Sequence, residues 1–135
     1  MNTSESIDRI MANQSLLGHE FYELFFNKCP EMKPFFDDVD MQGQAVLVTT
    51  ALILIENYHA KPSLAIEKYL QYLGTKHHNR GIPQQAYQYW IDAMLDTLRR
   101  FHGSDWDSSL EEQWRGAIRR AADVMLDGYQ QHFHV

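Results

Sequence analysis

YLQYLGTKHHNRGIPQQAY, residues Tyr69 to Tyr87, is the stretch from which the rest of the chain can be read. In helical register Ile66, Leu70, Leu73 and His77 recur at steps of four, three and four, so an imidazole ends an otherwise apolar stripe. His78 sits about 100° further round the helix, and the same spacing puts it with Glu67, Gln71 and Thr75 on the side assigned to water. Gly81 is expected as a C-cap, and Pro83 in the first turn of the next helix, where its missing donor costs nothing. That turn brings Tyr87 back towards His77. A neutral imidazole is the commonest metal ligand, and the hydrogen bond made by its other nitrogen fixes tautomer and orientation. His77 is therefore a candidate ligand with Tyr87 as its orienting partner. The alternative is a core histidine bonded to a backbone carbonyl.

With 135 residues the chain is expected to form a single domain over 1–135 with one sizeable core. A hydrophobic share of 44% beside 22% charged residues excludes a disordered composition. The net charge of -6 argues against nucleic acid or an anionic membrane surface as partner. Cys29 stands alone, so an internal disulfide is excluded and a reducing compartment is permitted. MNTSESIDRIMANQ lacks the charged start and apolar run of a signal peptide, and the apolar run from Ala45 to Ile55 is too short to span a bilayer. A soluble cytoplasmic protein is the expectation.

No segment alternates with the period of a half-buried strand, and no repeat or linker divides the chain. The class is all-α, with six to eight helices of unequal length. A short first helix is expected from Ser4 to Met11 and a second from Ser15 to Lys28, rich in aromatic bulk at Phe21, Tyr22, Phe25 and Phe26. Gly18 lies four residues before Tyr22, which hints at a helix crossing closely there, because glycine inside a helix costs about 1 kcal/mol. Pro30 to Phe36 reads as a turn of helix, and a long apolar helix starts near Asp40 with Gln44 as the polar residue at its entrance. Residues His59 to Ser63 read as a loop, followed by helices over Leu64 to Asn79 and Pro83 to His102. Ser108 with Glu111 suggests a capping box for a final helix reaching Gln131, with Leu110, Trp114, Ala117, Ala121, Val124, Met125 and Tyr129 facing inward. His19, His59, His102, His132 and His134 read as surface residues.

LGTKHHNRGI followed by Tyr87 resembles the proximal region of bacterial single-domain globins and of the globin half of flavohaemoglobins. The shared pattern is a Lys-His pair, a glycine four residues after the histidine and a tyrosine ten after it. FYELFFNKCPEMKPFF resembles the segment of that family that carries a distal tyrosine, and DMQGQ resembles the entrance to its distal helix. The resemblance covers Phe21 to Tyr129 and implies a globin fold enclosing a haem b pocket, with a shorter first helix than the family usually has.

It also implies roles. His77 would be the proximal iron ligand, Tyr87 its orienting partner, Tyr22 and Gln44 the distal donors, Phe36 the ring against the haem face, and Val48 the distal wall. A shift of one residue would put Gly43 and Leu47 in the places of Gln44 and Val48. Leu73 lies one turn before His77 on the same face, and Lys76 or Arg80 could pair with a haem propionate. One departure stands out: Tyr129 occupies the position where flavohaemoglobin-like globins carry a glutamate that makes the proximal imidazole more anionic. The implied function is reversible binding of dioxygen, and of nitric oxide or carbon monoxide, for scavenging or storage. Two rivals are nitric oxide dioxygenation with an external reductase, expected because the chain ends after its last helix, and a globin-like sensor module that binds a protein partner, with or without haem.

Overall fold

Asn2, Asp40, Ser63 and Asp107 each accept a backbone N–H two or three residues ahead, from Glu5, Gln42, Ile66 and Leu110, at 2.8 to 3.2 Å. These side-chain caps satisfy donors that a helix start leaves unpaired, and they set where four of the helices begin. The computed structural model describes residues 1–13 and 16–131. Its elements run α1 (Thr3–Ala12), α2 (Leu17–Lys28), a 3-10 segment (Pro30–Phe36), α3 (Met41–Ala60), α4 (Leu64–Asn79), α5 (Gln85–His102), a short 3-10 turn (Gly103–Asp105) and α6 (Ser108–Gln131). No strand occurs among the described residues, and no single helix there is long and apolar enough to cross a membrane. The all-α expectation and the short first helix both hold.

The core fills the space between α2, α3, α5 and α6. Phe21, Leu52, Met94, Leu98, Leu110 and Trp114 are fully enclosed. Phe21 stacks near Phe25 at 5.5 Å and tilts against Trp90 at 5.1 Å, which joins α2 to α5. Gly18, in the first turn of α2, marks the expected close crossing of α2 and α3. A Cβ there would meet the Ala45 carbonyl oxygen at 2.5 Å.

A second pair of glycines brings α4 onto α6. A Cβ on Gly74 would run into the Met125 carbonyl, and one on Gly128 into the Gln71 carbonyl. With both side chains reduced to hydrogen, the two backbones meet, and Thr75 donates its hydroxyl to the Gly128 carbonyl at 2.7 Å. This overturns the reading of Gln71, Thr75 and His78 as a wet face. Gln71 and Thr75 are buried, and the His78 ring stands edge-on to Tyr129 at 5.2 Å.

Other expectations shift for local reasons. α3 runs on through Ala60, so the loop before α4 spans only 61–63. Pro83 precedes α5 instead of lying in it, because its carbonyl takes the Ala86 N–H in a tight turn and the helix begins at Gln85. Asp107 rather than Ser108 caps α6, while Glu111 turns to Trp106 and Arg115. His102 is buried, not at the surface: the Trp114 indole donates to the Ser6 hydroxyl at 3.0 Å, and that hydroxyl lies against His102 Nε2. His59 is half-buried and His19 exposed, while His132, His134 and Ser15 lie outside the described residues.

Candidate functional site

The end of α4 is built so that the imidazole of His77 has one orientation. Gly81 takes φ +80°, a left-handed conformation natural to glycine. Its N–H then reaches the His78 carbonyl at 2.9 Å, and the Ile82 N–H reaches the His77 carbonyl at 3.1 Å. The corner folds back into α5, which sets the Tyr87 hydroxyl 2.9 Å from His77 Nδ1.

Proton positions follow from a chain of bonds that starts at an acceptor. Tyr129 donates its hydroxyl to the Ile82 carbonyl oxygen at 2.8 Å, and a carbonyl can only accept. The Tyr129 oxygen is then left as an acceptor for Tyr87, whose ring stands edge-on to it at 5.7 Å, and a Tyr87 proton turned that way leaves the Tyr87 oxygen to accept from His77. His77 therefore carries its proton on Nδ1 and its lone pair on Nε2. Burial holds its pKa down to about 4, with the nearby Arg80 guanidinium adding to the effect, so the ring is neutral at physiological pH. Burial likewise pushes the Tyr87 hydroxyl well above the ordinary tyrosine range. A neutral imidazole with a fixed tautomer is a competent metal donor.

On the other side, α2 and α3 place a second pair together. Their crossing at Gly18 and Ala45 puts the Gln44 amide 2.9 Å from the Tyr22 hydroxyl, with Nε2 donating to the phenol oxygen. The Tyr22 proton is thereby free for another acceptor. Burial raises the pKa of this phenol to about 12, so it stays a donor. The Tyr22 ring touches Phe36 at 5.4 Å and Phe21 at 4.9 Å in an apolar surround. The register at the crossing places the two expected sets of residues differently. Gln44 meets Tyr22 and Val48 is buried against the core, whereas Leu47 is 62% exposed beside it. Gly43 approaches the Asp40 carboxylate instead.

α4 lies along α6 and scarcely meets α3, so the face of α3 with Gln44 and the face of α4 with Leu73 and His77 are not closed on each other. That arrangement suits a flat ligand. The model of the globin family matches residues 19–125, most of the chain. The chain belongs to the globin family. A structure from Pseudomonas aeruginosa PAO1, described as structurally highly homologous to a human haemoglobin, resembles this globin with a TM-score of 0.82 and 25% identity over 94% of this chain and 95% of that one. A bacterial globin from Campylobacter jejuni shares the fold, with a TM-score of 0.72 at 20% identity over 96% of this chain and 92% of that one. No curated protein matches the sequence.

Membership makes this a haem-binding globin, and the donor set fits the group. Among the described residues His77 offers the neutral nitrogen on an apolar face, and no cluster of His, Cys, Asp and Glu suited to a bare metal ion occurs there. The two expected propionate partners are placed differently from each other. Arg80 donates to the Phe35 carbonyl at 2.9 Å, tying the end of α4 to the Pro30–Phe36 segment, while the Lys76 ammonium lies 5.6 Å over the exposed Tyr72 ring. Sequence reading missed the Gly74 and Gly128 crossing and the Ile82 carbonyl that ends the proximal chain. Two glycines in helix interiors were the available signal for the first; nothing in the sequence marks the second.

Proposed function

We propose that this globin binds dioxygen reversibly at a haem b held by His77 Nε2, and that nitric oxide and carbon monoxide compete for the same place, in the service of scavenging or storage. The observation that carries the reading is the end of the proximal hydrogen-bond chain, a neutral backbone carbonyl at Ile82. Had the chain ended on a carboxylate, the imidazole would gain anionic character and favour oxygen activation. Ending on Ile82, it leaves His77 a neutral ligand. When bound, the haem supplies an iron with one open coordination position for a diatomic gas. The chain supplies the rest: Tyr22 offers a hydroxyl proton to a polar gas, Gln44 holds that phenol, and Phe36 and Val48 keep water out. Leu73 belongs to the proximal wall, and Lys76 and Arg80 are the cations nearest His77 in sequence for the propionates. Leu47 would join the distal wall only from its outer side.

A bacterial cytoplasmic setting, akin to that of flavohaemoglobin globin domains, belongs to the same reading. It suits Cys29, whose thiol burial pushes up to about 11 and which donates to Glu31 at 3.1 Å, leaving it protonated and unreactive.

Nitric oxide dioxygenation is the second reading, favoured by the same Tyr22 and Gln44 pair. It would consume one dioxygen and one nitric oxide per nitrate formed and one electron from an external reductase to restore ferrous iron. Absorption spectra of oxidised, dithionite-reduced and carbon monoxide-treated protein test the first reading. A Soret band that shifts under carbon monoxide, and is lost in His77→Leu with helicity intact, is expected. A colourless wild-type protein after haem addition would leave a helical protein-binding module. Sustained nitric oxide consumption with a reductase would favour the second reading.

A further inference from the structure

Charge is distributed unevenly along this chain, and the unevenness centres on the helix that carries His77. Residues 61–80 hold four of the 12 Lys and Arg residues but one of the 18 Asp and Glu residues, so that stretch carries +3 and the remainder -9. The one carboxylate, Glu67, is turned inward, where Tyr58 donates to it at 3.4 Å. Lys61, Lys68, Lys76 and Arg80 are exposed. At 100° per residue Tyr69, Tyr72 and Lys76 share an exposed side of α4, and Lys68 stands at its edge next to the side laid on α6, where its ammonium reaches Gln71 at 3.4 Å. The two tyrosines stand with ring centroids 6.5 Å apart, both substantially exposed, and Lys76 lies over Tyr72. Exposed tyrosines are enriched at interface centres, the lysines around them form a charged rim, and the sign of that rim is opposite to that of the rest of the molecule.

We propose that the outer face of α4 is the docking surface for an acidic protein that carries one electron, and that it delivers this electron to the haem held by His77. The inference rests on the proposed haem ligation. Its chemistry is a one-electron transfer in which the reduced carrier is oxidised and ferric iron becomes ferrous. An oxygen-binding globin needs this step, because ferric haem does not bind dioxygen. The position favours electron delivery, since α4 presents the surface on one side and His77 on another, so a docked carrier is separated from the proximal ligand by about the 10 Å width of one helix. The positive strip attracts an acidic carrier and the negative remainder turns away from it, which orients the encounter. Self-association of this chain through the same strip and its own acidic surface is the rival occupant.

The test uses haem-loaded protein and reduced flavodoxin, an acidic one-electron donor, as the probe. Lys61→Glu with Lys68→Glu is compared with Arg99→Glu with Arg115→Glu, a control with the same change in net charge on exposed positions elsewhere. The strip variant is expected to lower the bimolecular rate of iron reduction at least tenfold at low ionic strength, with the difference fading in 0.5 M salt, an ionic strength about threefold above physiological. In addition, chemical-shift changes on adding flavodoxin should fall on residues 61–80 in the wild type and vanish in the strip variant. Equal rates and shifts for the two variants overturn the proposal. So does loss of self-association in the strip variant with unchanged flavodoxin kinetics, which would assign the face to a second copy. A protein that takes up no haem shows no Soret band before flavodoxin is added, so failure of the underlying reading is told apart from failure of docking.

Discussion

Tyr129 donates its hydroxyl proton to the Ile82 carbonyl oxygen across 2.8 Å, joining the last helix to the corner that follows the proximal helix. The same bond leaves the Tyr129 oxygen as an acceptor beside Tyr87, whose hydroxyl meets His77. Tyr129→Phe keeps the ring against His78 and Tyr87 but removes the acceptor for Tyr87. The expected cost is about 1 kcal/mol of stability, with haem content unchanged and the iron-histidine stretching band in the resonance Raman spectrum displaced. An undisplaced band would mean that the chain of phenols does not govern His77.

Tyr22 and Gln44 make unequal contributions. Tyr22 alone has a proton to spare, while Gln44 spends its amide on the phenol. Tyr22→Phe should raise the dioxygen dissociation rate about tenfold to a hundredfold, the value of one hydrogen bond to a polarised ligand. Gln44→Leu should raise it by a smaller factor. Stopped-flow displacement by carbon monoxide measures both, and the reverse order of effects would reassign the donor.

Gly128 has no room for a methyl group, since its Cβ direction is filled by the Gln71 carbonyl and the Thr75 backbone nitrogen. Gly128→Ala would gain about 1 kcal/mol in helix propensity and lose more by forcing α4 off α6. A net loss of about 2 kcal/mol in denaturant unfolding is expected, together with weaker haem retention because α4 carries His77. A stabilised variant would show that the two backbones can separate without cost.

His102 couples the first helix to pH. Burial lowers its pKa, with Arg9 adding to the effect and Asp105 opposing it. The unfolded chain then binds the proton more readily than the folded one, so stability is full above the unfolded histidine pKa of about 6.5 and declines as pH falls below it. Chemical unfolding of the haem-free protein from pH 7.5 to 5 should show this slope. The slope should lessen in His102→Gln, which removes the titrating ring while His77 goes on contributing. Equal slopes would place the pH dependence elsewhere.

Helix identity was largely legible from residue order, because Leu70, Leu73 and His77 repeat at the helical period and Gly81 sits at a stop. The approach of Tyr87 to His77 was legible from the spacing of the motif, and Gly18 announced the α2 and α3 crossing that sets Gln44 against Tyr22. His102, Gln71 and Thr75 were not legible. Periodicity assigns Gln71 and Thr75 to water and His102 reads as a surface histidine, yet each is buried by a partner distant in sequence, Ser6 or Gly128.

The sequence by itself determined the helical class, the placement of an imidazole on an apolar stripe, and the tyrosine that answers it ten residues later. These depend on local spacing and on backbone rules that act within a few residues. Only the tertiary structure decided which side of α4 is dry, which residue of α3 meets Tyr22, and that the hydrogen bonds beyond His77 and Tyr87 end on a main-chain carbonyl. Those depend on close approach between backbones, at Gly18 with Ala45 and at Gly74 with Gly128, and on a main-chain carbonyl that no side-chain identity reveals.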